Sequence, residues 1–336
     1  VFLRILWMVL ILLFAWGHIS FDQFILGYST AYIFIALAAL VYIGALKAFP
    51  ESLSFEGDEK ESITRILKFN SFNILSGLSS FMINRVDVLM LSAMEGLTPV
   101  GIYAIAFAMA SVIRIPTSSI ARVAPSLVAE AFKAGDLEQI SVLYRKSSIN
   151  QLILSLGAFL LIVLNMNILL MFLDDIYQQS FIIFVFLGLA QVVDTGVGIN
   201  GHIMVNSPYY KIDAYMSIAL LIITLITNYI FIPMYGGVGA AMATLISILL
   251  YNIARWSFLK VKMGLSPFSG KTVETLLIFG IAGALAWFIP SLDNVWLAAI
   301  QRNLIFLVIV VPLVFTRNLS TDITELLQLF RDRIGK

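Results

Sequence analysis

The sequence predicts an all-α, polytopic membrane protein, and three observations carry that prediction. Hydrophobic residues make up 60% of the 336 and charged residues only 12%, with a mean hydropathy of +0.96. A soluble domain carries about 25% charged residues, so this chain is built for an apolar solvent. Apolar windows of about twenty residues, the length that crosses a bilayer as a helix, recur along the whole chain. Finally, the connections between them alternate between basic and acidic.

Taken in order, the windows fall at roughly 1–17, 25–46, 69–93, 98–125, 148–172, 180–200, 212–233, 237–259, 273–289 and 297–316, about ten transmembrane helices. The first, VFLRILWMVLILLFAWG, has no small-residue cleavage site and reads as a span rather than a signal peptide. It opens on Val1 already inside an apolar run, from which the expectation is that the true N-terminus lies upstream. One set of connections is Lys47–Lys68, Val128–Lys146, Gly201–Lys211, Leu259–Lys271 and the tail after Arg317. The other is His18–Phe24, Glu95–Pro99, Asp174–Gln179, Pro233–Gly236 and Pro290–Asn294. Of the 21 Lys and Arg, the first set and its helix ends hold 18, counting Arg4, Arg122 and Arg255. Arg85 and Arg114 fall within spans, and Arg302 alone lies near the other side. Basic residues stay on the cytoplasmic side, so the expected location is a cytoplasmic (inner) membrane with both chain ends inside.

The inner linkers Pro50–Lys68 and Glu130–Lys146 carry apolar residues at three-to-four spacing, which predicts short helices lying on the inner face. The last stretch, LSTDITELLQLFRDRIGK, opens with Ser320 or Thr321 as an N-cap and predicts one more surface helix. Pro116 in IRIPTSS lacks an N–H and predicts a kink or break. The small residues of GGVGAAMA, Gly236–Ala243, read as close helix packing and not as a nucleotide-binding loop.

Three sequence stretches resemble the multidrug/oligosaccharidyl-lipid/polysaccharide (MOP) exporter superfamily: RVDVLMLSAMEGLTPVGIYAIAFAMA, VAPSLVAEAFKAGDLEQISVLYRKSS and MYGGVGAAMATLISILLYNIAR. The branch most similar is the Wzx-type polysaccharide or O-antigen flippase. The resemblance implies a MATE/MOP-like fold of fourteen helices, two six-helix lobes around a central cavity and two extra helices. On that template residues 1–46 are the last two helices of the first lobe and 47–68 a cytoplasmic amphipathic linker. Residues 69–262 would then be the six-helix second lobe, 263–316 the two extra helices and 317–336 a cytoplasmic tail. About four helices of the first lobe are absent from this sequence. The implied function is export of a lipid-linked oligosaccharide by alternating access, with membrane lipids, a glycan polymerase and ligation machinery as partners. A cation-coupled multidrug exporter and a peptidoglycan-precursor flippase share the plan.

Charges at membrane depth are costly and by default mark a site. Arg85 and Asp87 lie two residues apart, about 200° around a helix, so each needs its own partner. Arg85 reads either as a cavity residue for an anionic headgroup or as a structural tie, and Asp87 as a cation-coupling carboxylate or a tie. Arg114 and Asp194 lie at similar depth and suggest a pair; the alternatives are a structural pair, which a transporter could use as a switch, or a substrate-binding Arg114 with Asp194 as an ion-coupling carboxylate. Arg122 reads as a snorkelling residue or a phosphate ligand, since the guanidinium fork suits phosphate oxygens. Asn70, Asn73, Asn84 and Gln191 add polar edges, of which Asn73 and Gln191 are the candidates for sugar hydroxyls.

The remaining chemistry is negative. There is no cysteine, and His18 and His202 fall in loops on opposite sides, so neither a metal site nor a catalytic dyad is expected. No nucleotide-binding, zinc-protease or nucleophile-elbow motif occurs, no cofactor is expected, and no basic arm addresses nucleic acid. A membrane-embedded glycan polymerase or acyltransferase is disfavoured by the lack of an intramembrane His and of a large outer loop. A non-transporting scaffold within a glycan-assembly complex is the other reading from outside the transporter class.

Overall fold

In the structure, a computed structural model, residues 2–45, 70–71, 74, 77, 82–83, 85–290 and 292–325 are described. The expected linker helix at 50–68, together with Asn73, Asn84 and the residues after 325, lies outside them. Everything regular among the described residues is helix. The helices are α1 (Phe2–Ala15), α2 (Phe21–Ala45), α3 (described over 85–95), α4 (Leu97–Val112), α5 (Ile115–Ala134), α6 (Leu137–Leu164) and α7 (Met166–Met171), followed after a 3₁₀ turn by α8 (Ser180–Gly196), α9 (Asn200–Asn206), α10 (Tyr210–Met263), α11 (Gly270–Phe288) and α12 (Val295–Thr316). Among the described residues five helical stretches are long and apolar enough to cross a membrane: α6, 175–196 (the 3₁₀ turn with α8), α10, α11 and α12. The chain is a multi-pass membrane protein.

Two compact units divide it, residues 1–66 and 67–336. In the first, α1 and α2 pair through aromatic rings: Trp7 stacks on Tyr28 at 4.9 Å, and Tyr32 follows one turn on at 5.4 Å from Trp7. The second unit is organised around α8, which packs against α4, α6 and α10. Its core holds the fully buried Tyr103, Phe184, Phe279 and Phe306 among aliphatic residues of α4, α6, α8, α11 and α12.

Straight, the 54 residues of α10 would reach about 80 Å, more than twice a hydrocarbon core. Instead the chain reverses at Gly236, whose φ of 56° and ψ of −132° lie outside any region open to other residues. Cross-arm contacts establish that the arms run antiparallel: Thr227 to Ser247 at 3.1 Å, Ser217 to Tyr251 at 3.0 Å, and Asp213 to Arg255 at 2.5 Å. The turn expected at Pro233–Gly236 is therefore a tight helical hairpin.

Two sequence expectations are corrected here. Glu130–Lys146 does not form a separate surface helix. Gly135 closes α5 in the left-handed conformation (φ 71°), and Asp136 accepts the Gln139 N–H at 2.8 Å to start α6. With both caps inside two residues, the spans simply continue to the turn, and Val128, Ala131, Ile140 and Tyr144 are buried. Gly201–Lys211 likewise is no open loop, because α9 folds within it. The N-cap expected after α12 is present. Ser320 Oγ accepts the Ile323 N–H at 3.2 Å, and Asp322 docks this segment on α6 through Lys146 and Asn150, each at 2.8 Å.

The hairpin admits a steric test. A Cβ on Gly239 would lie 2.0 Å from the backbone oxygen of Phe231, which cannot rotate away, whereas one on Gly280 would meet nothing within 4 Å. Gly239→Ala should cost about 3 kcal/mol or more through overpacking, and Gly280→Ala close to nothing. Thermal melting of the two variants in detergent reads the difference.

Candidate functional site

Within the second unit, α3, α4, α8 and both arms of α10 enclose a half-open cavity of about 180 Å³. Its polar lining is Asp87, Arg114, Gln191, Asp194, Thr244, Tyr251 and Arg255. Four residues singled out from sequence, Asp87, Arg114, Gln191 and Asp194, therefore converge on it. Arg85 and Arg122 do not: both are exposed side chains outside the lining. Asn73 lies outside the described residues.

The opposed facing of Arg85 and Asp87 holds. Arg85 is exposed, whereas Asp87 is 2% exposed and takes the Tyr103 hydroxyl from α4 on one oxygen and the Val88 N–H at 2.8 Å on the other. Its hydrogen-bond partners among the described residues are neutral donors, and no ion pair joins Asp87 to a described cation.

Arg114 sits where the predicted Pro116 break falls. The Val112 carbonyl loses its helical donor because residue 116 has no N–H. The chain tightens through Ile113 N–H to Ala110 and Arg114 N–H to Ser111 before α5 begins. The break leaves Arg114 exposed at the cavity. The expected Arg114–Asp194 pair does not form: both line the cavity, but no ion pair joins them. Asp194 is claimed instead by an amide relay, Asn200 Nδ2 to Asn252 Oδ1 at 2.9 Å and Asn252 Nδ2 to Asp194 Oδ1 at 3.2 Å. Gln191, 8% exposed, shares this lining, and its Oε1 accepts no hydrogen bond from the described residues.

Arg255 is the residue that the sequence reading missed, having been assigned to a cytoplasmic helix end. It turns inward. Its Nη2 lies 2.5 Å from Asp213 Oδ1, its guanidinium rests 4.2 Å from the Tyr251 ring centroid, and only 13% of its side chain is exposed. Gly201 of α9 lies against it, since a Cβ there would come within 2.9 Å of Nη1. A signal was available, because Asp213 and Arg255 stand at similar distances on either side of the Gly236 turn.

No protein-family model matches the chain, and no curated protein matches it. Solved structures do, among them a MOP superfamily transporter from Pyrococcus furiosus described by the reverse polarity of its binding pocket (18% identity, TM-score 0.43), and a multidrug resistance MATE family transporter of the MOP superfamily in an outward-facing conformation (18%, TM-score 0.42). Each match covers 66% of this chain and 52% of the other, so the chain spans about half the length of the transporters it matches.

Two predictions follow from the ion pair and its neighbour. Removing one partner of a buried pair strands the other, so Asp213→Ala should cost about 3–5 kcal/mol. Asp213→Asn combined with Arg255→Gln should recover much of that loss, as a double-mutant cycle on melting would record. His202, on α9 between the candidate spans, is held below the usual imidazole range by burial and secondarily by the Arg255 charge. Folding thus favours its neutral form. Its stabilisation is complete above about pH 6.5 and is lost as pH falls from there through the lower folded value. Melting temperature across that window should drop for the wild type and flatten in His202→Gln.

Proposed function

We propose that this chain belongs to a transporter that flips a lipid-linked, polyprenyl-pyrophosphate oligosaccharide across the cytoplasmic membrane by alternating access, for surface polysaccharide or O-antigen assembly. The observation that carries the reading is Arg114: a guanidinium at a helix break, lining a half-open cavity, with no carboxylate among the described residues paired to it. Such a donor fork suits a (pyro)phosphate. Gln191, buried with an unpartnered Oε1, offers an acceptor for a sugar hydroxyl. Asp87 and Asp194, each met by neutral donors, are the positions for a coupling cation. Arg85 and Arg122 are left for surfaces outside this cavity. Both chain ends would be cytoplasmic, and a glycan polymerase and ligation machinery would act on the exported unit. A peptidoglycan precursor would suit the same chemistry.

A second reading, a cation-coupled multidrug exporter, has its own observation. The lining holds two aspartates against two arginines, and Arg255 is already committed to Asp213. At the cavity itself arginines therefore do not outnumber carboxylates.

Complementation separates the two. In a strain lacking its polysaccharide flippase, Arg114→Ala should lower surface glycan roughly tenfold at equal membrane abundance, the worth of one charge-assisted contact. Lipid-linked repeat units should accumulate inside. Normal glycan export by a well-expressed Arg114→Ala removes this assignment. A wild type that exports no glycan and instead gives resistance to cationic dyes establishes the second reading.

A further inference from the structure

Arg302 stands apart from every other basic residue of the chain. It is the one Lys or Arg near the end of the bundle formed by the lysine-poor connections, so the charge bias that sorts the other basic residues runs against it. Arg302 lies seven residues into α12, about 10 Å from the helix start, which is interfacial depth. Its guanidinium lies 5.6 Å from the Trp287 ring centroid on α11. Trp287 in turn stacks on Phe181 at 6.3 Å, and nearby Trp296 meets Phe172 at 6.2 Å. Two tryptophans at one end of the bundle form the aromatic level that sits among lipid headgroups. Among the described residues Arg302 makes no ion pair, and its Nε is buried without a hydrogen-bond partner.

The side chain is aimed at a pocket of about 160 Å³ whose polar lining comprises Arg302, Asp293, Asn165 and Asn167. Water fills about 30 Å³ per molecule in the liquid, so the pocket holds a group about five waters in size. Asn165 is committed elsewhere, exchanging amide bonds with Asn303 at 2.8 and 3.1 Å and donating to the Leu161 carbonyl. What remains for an occupant is a cation on the wall and a carboxylate on the loop, in one pocket, neither in an ion pair among the described residues.

We propose that this pocket holds the headgroup of a zwitterionic aminophospholipid, its phosphate on Arg302 and its primary ammonium toward Asp293. A purely anionic headgroup would meet the Asp293 charge, and a choline headgroup has no N–H to donate to it. The site is independent of the cavity around Arg114 and rests on the membrane reading rather than on transport, so either proposal can fail without the other.

Native mass spectrometry of the delipidated protein, titrated with equimolar phosphatidylethanolamine, phosphatidylcholine and phosphatidylglycerol, tests it. The wild type should retain phosphatidylethanolamine in preference to the other two. Arg302→Gln should lower that retention roughly tenfold, as loss of a charge-assisted bond does, with Arg302→Lys in between. Asp293→Asn, in an exposed loop where folding is not at stake, should keep phospholipid binding but abolish the preference for ethanolamine over glycerol. Equal retention by wild type and Arg302→Gln, or a wild-type preference for phosphatidylglycerol, overturns the proposal. So does inorganic phosphate that raises the melting temperature of the lipid-free wild type but not of Arg302→Gln, which would make this a free-anion site.

Discussion

A charge buried among apolar helices must be answered by a partner, and in the second unit the Asp213–Arg255 pair answers it with an opposite charge. Asp213 is 1% exposed and sits at the open end of the α10 hairpin, where the opposite arm brings the Arg255 guanidinium within reach. That geometry requires the reversal at Gly236 to place the arms in one register, and it requires α9 to bring Gly201 rather than a side chain against the guanidinium. A short helix that looks incidental in the sequence is thus part of the seat of a buried arginine. The same arm carries Tyr251 under that arginine and Asn252 against Asp194, so one face of α10 builds both the ion pair and the cavity wall.

Neutral donors govern the rest of the cavity. Asp87 and Asp194 are each satisfied by hydroxyl, amide or backbone N–H groups, which lowers the cost of a buried carboxylate without neutralising it. A carboxylate held this way stays available to a cation, whereas one locked to an arginine does not. Arg114 keeps the converse freedom because a proline-induced break, and not a carboxylate, positions it. The pocket at Arg302 repeats the device at the other end of the bundle, with a cation and a carboxylate not bridged to each other.

Much of this was legible beforehand, for reasons specific to each element. Pro116 announced the break because a missing N–H acts locally, whatever surrounds it. Arg85 and Asp87 were separable because 100° per residue is a property of the helix alone. The Ser320 cap was readable for the same reason. By contrast, Glu130–Lys146 misled because amphipathic spacing does not distinguish a helix on a membrane surface from the packed ends of two spans. Gly135 and Asp136, side by side, held the information that decided it.

By itself the sequence determined the solvent, the helical class and the positions of the breaks. Those follow from hydropathy, from hydrogen bonding within each segment, and from residues with restricted backbones. Tertiary structure alone decided the pairings: Asp213 with Arg255 rather than Asp194 with Arg114, Tyr103 with Asp87, and Arg302 over Trp287. Depth along a helix can be counted from sequence. Which face meets which neighbour depends on packing between segments far apart in the chain, and it is that packing which chooses each charge its partner.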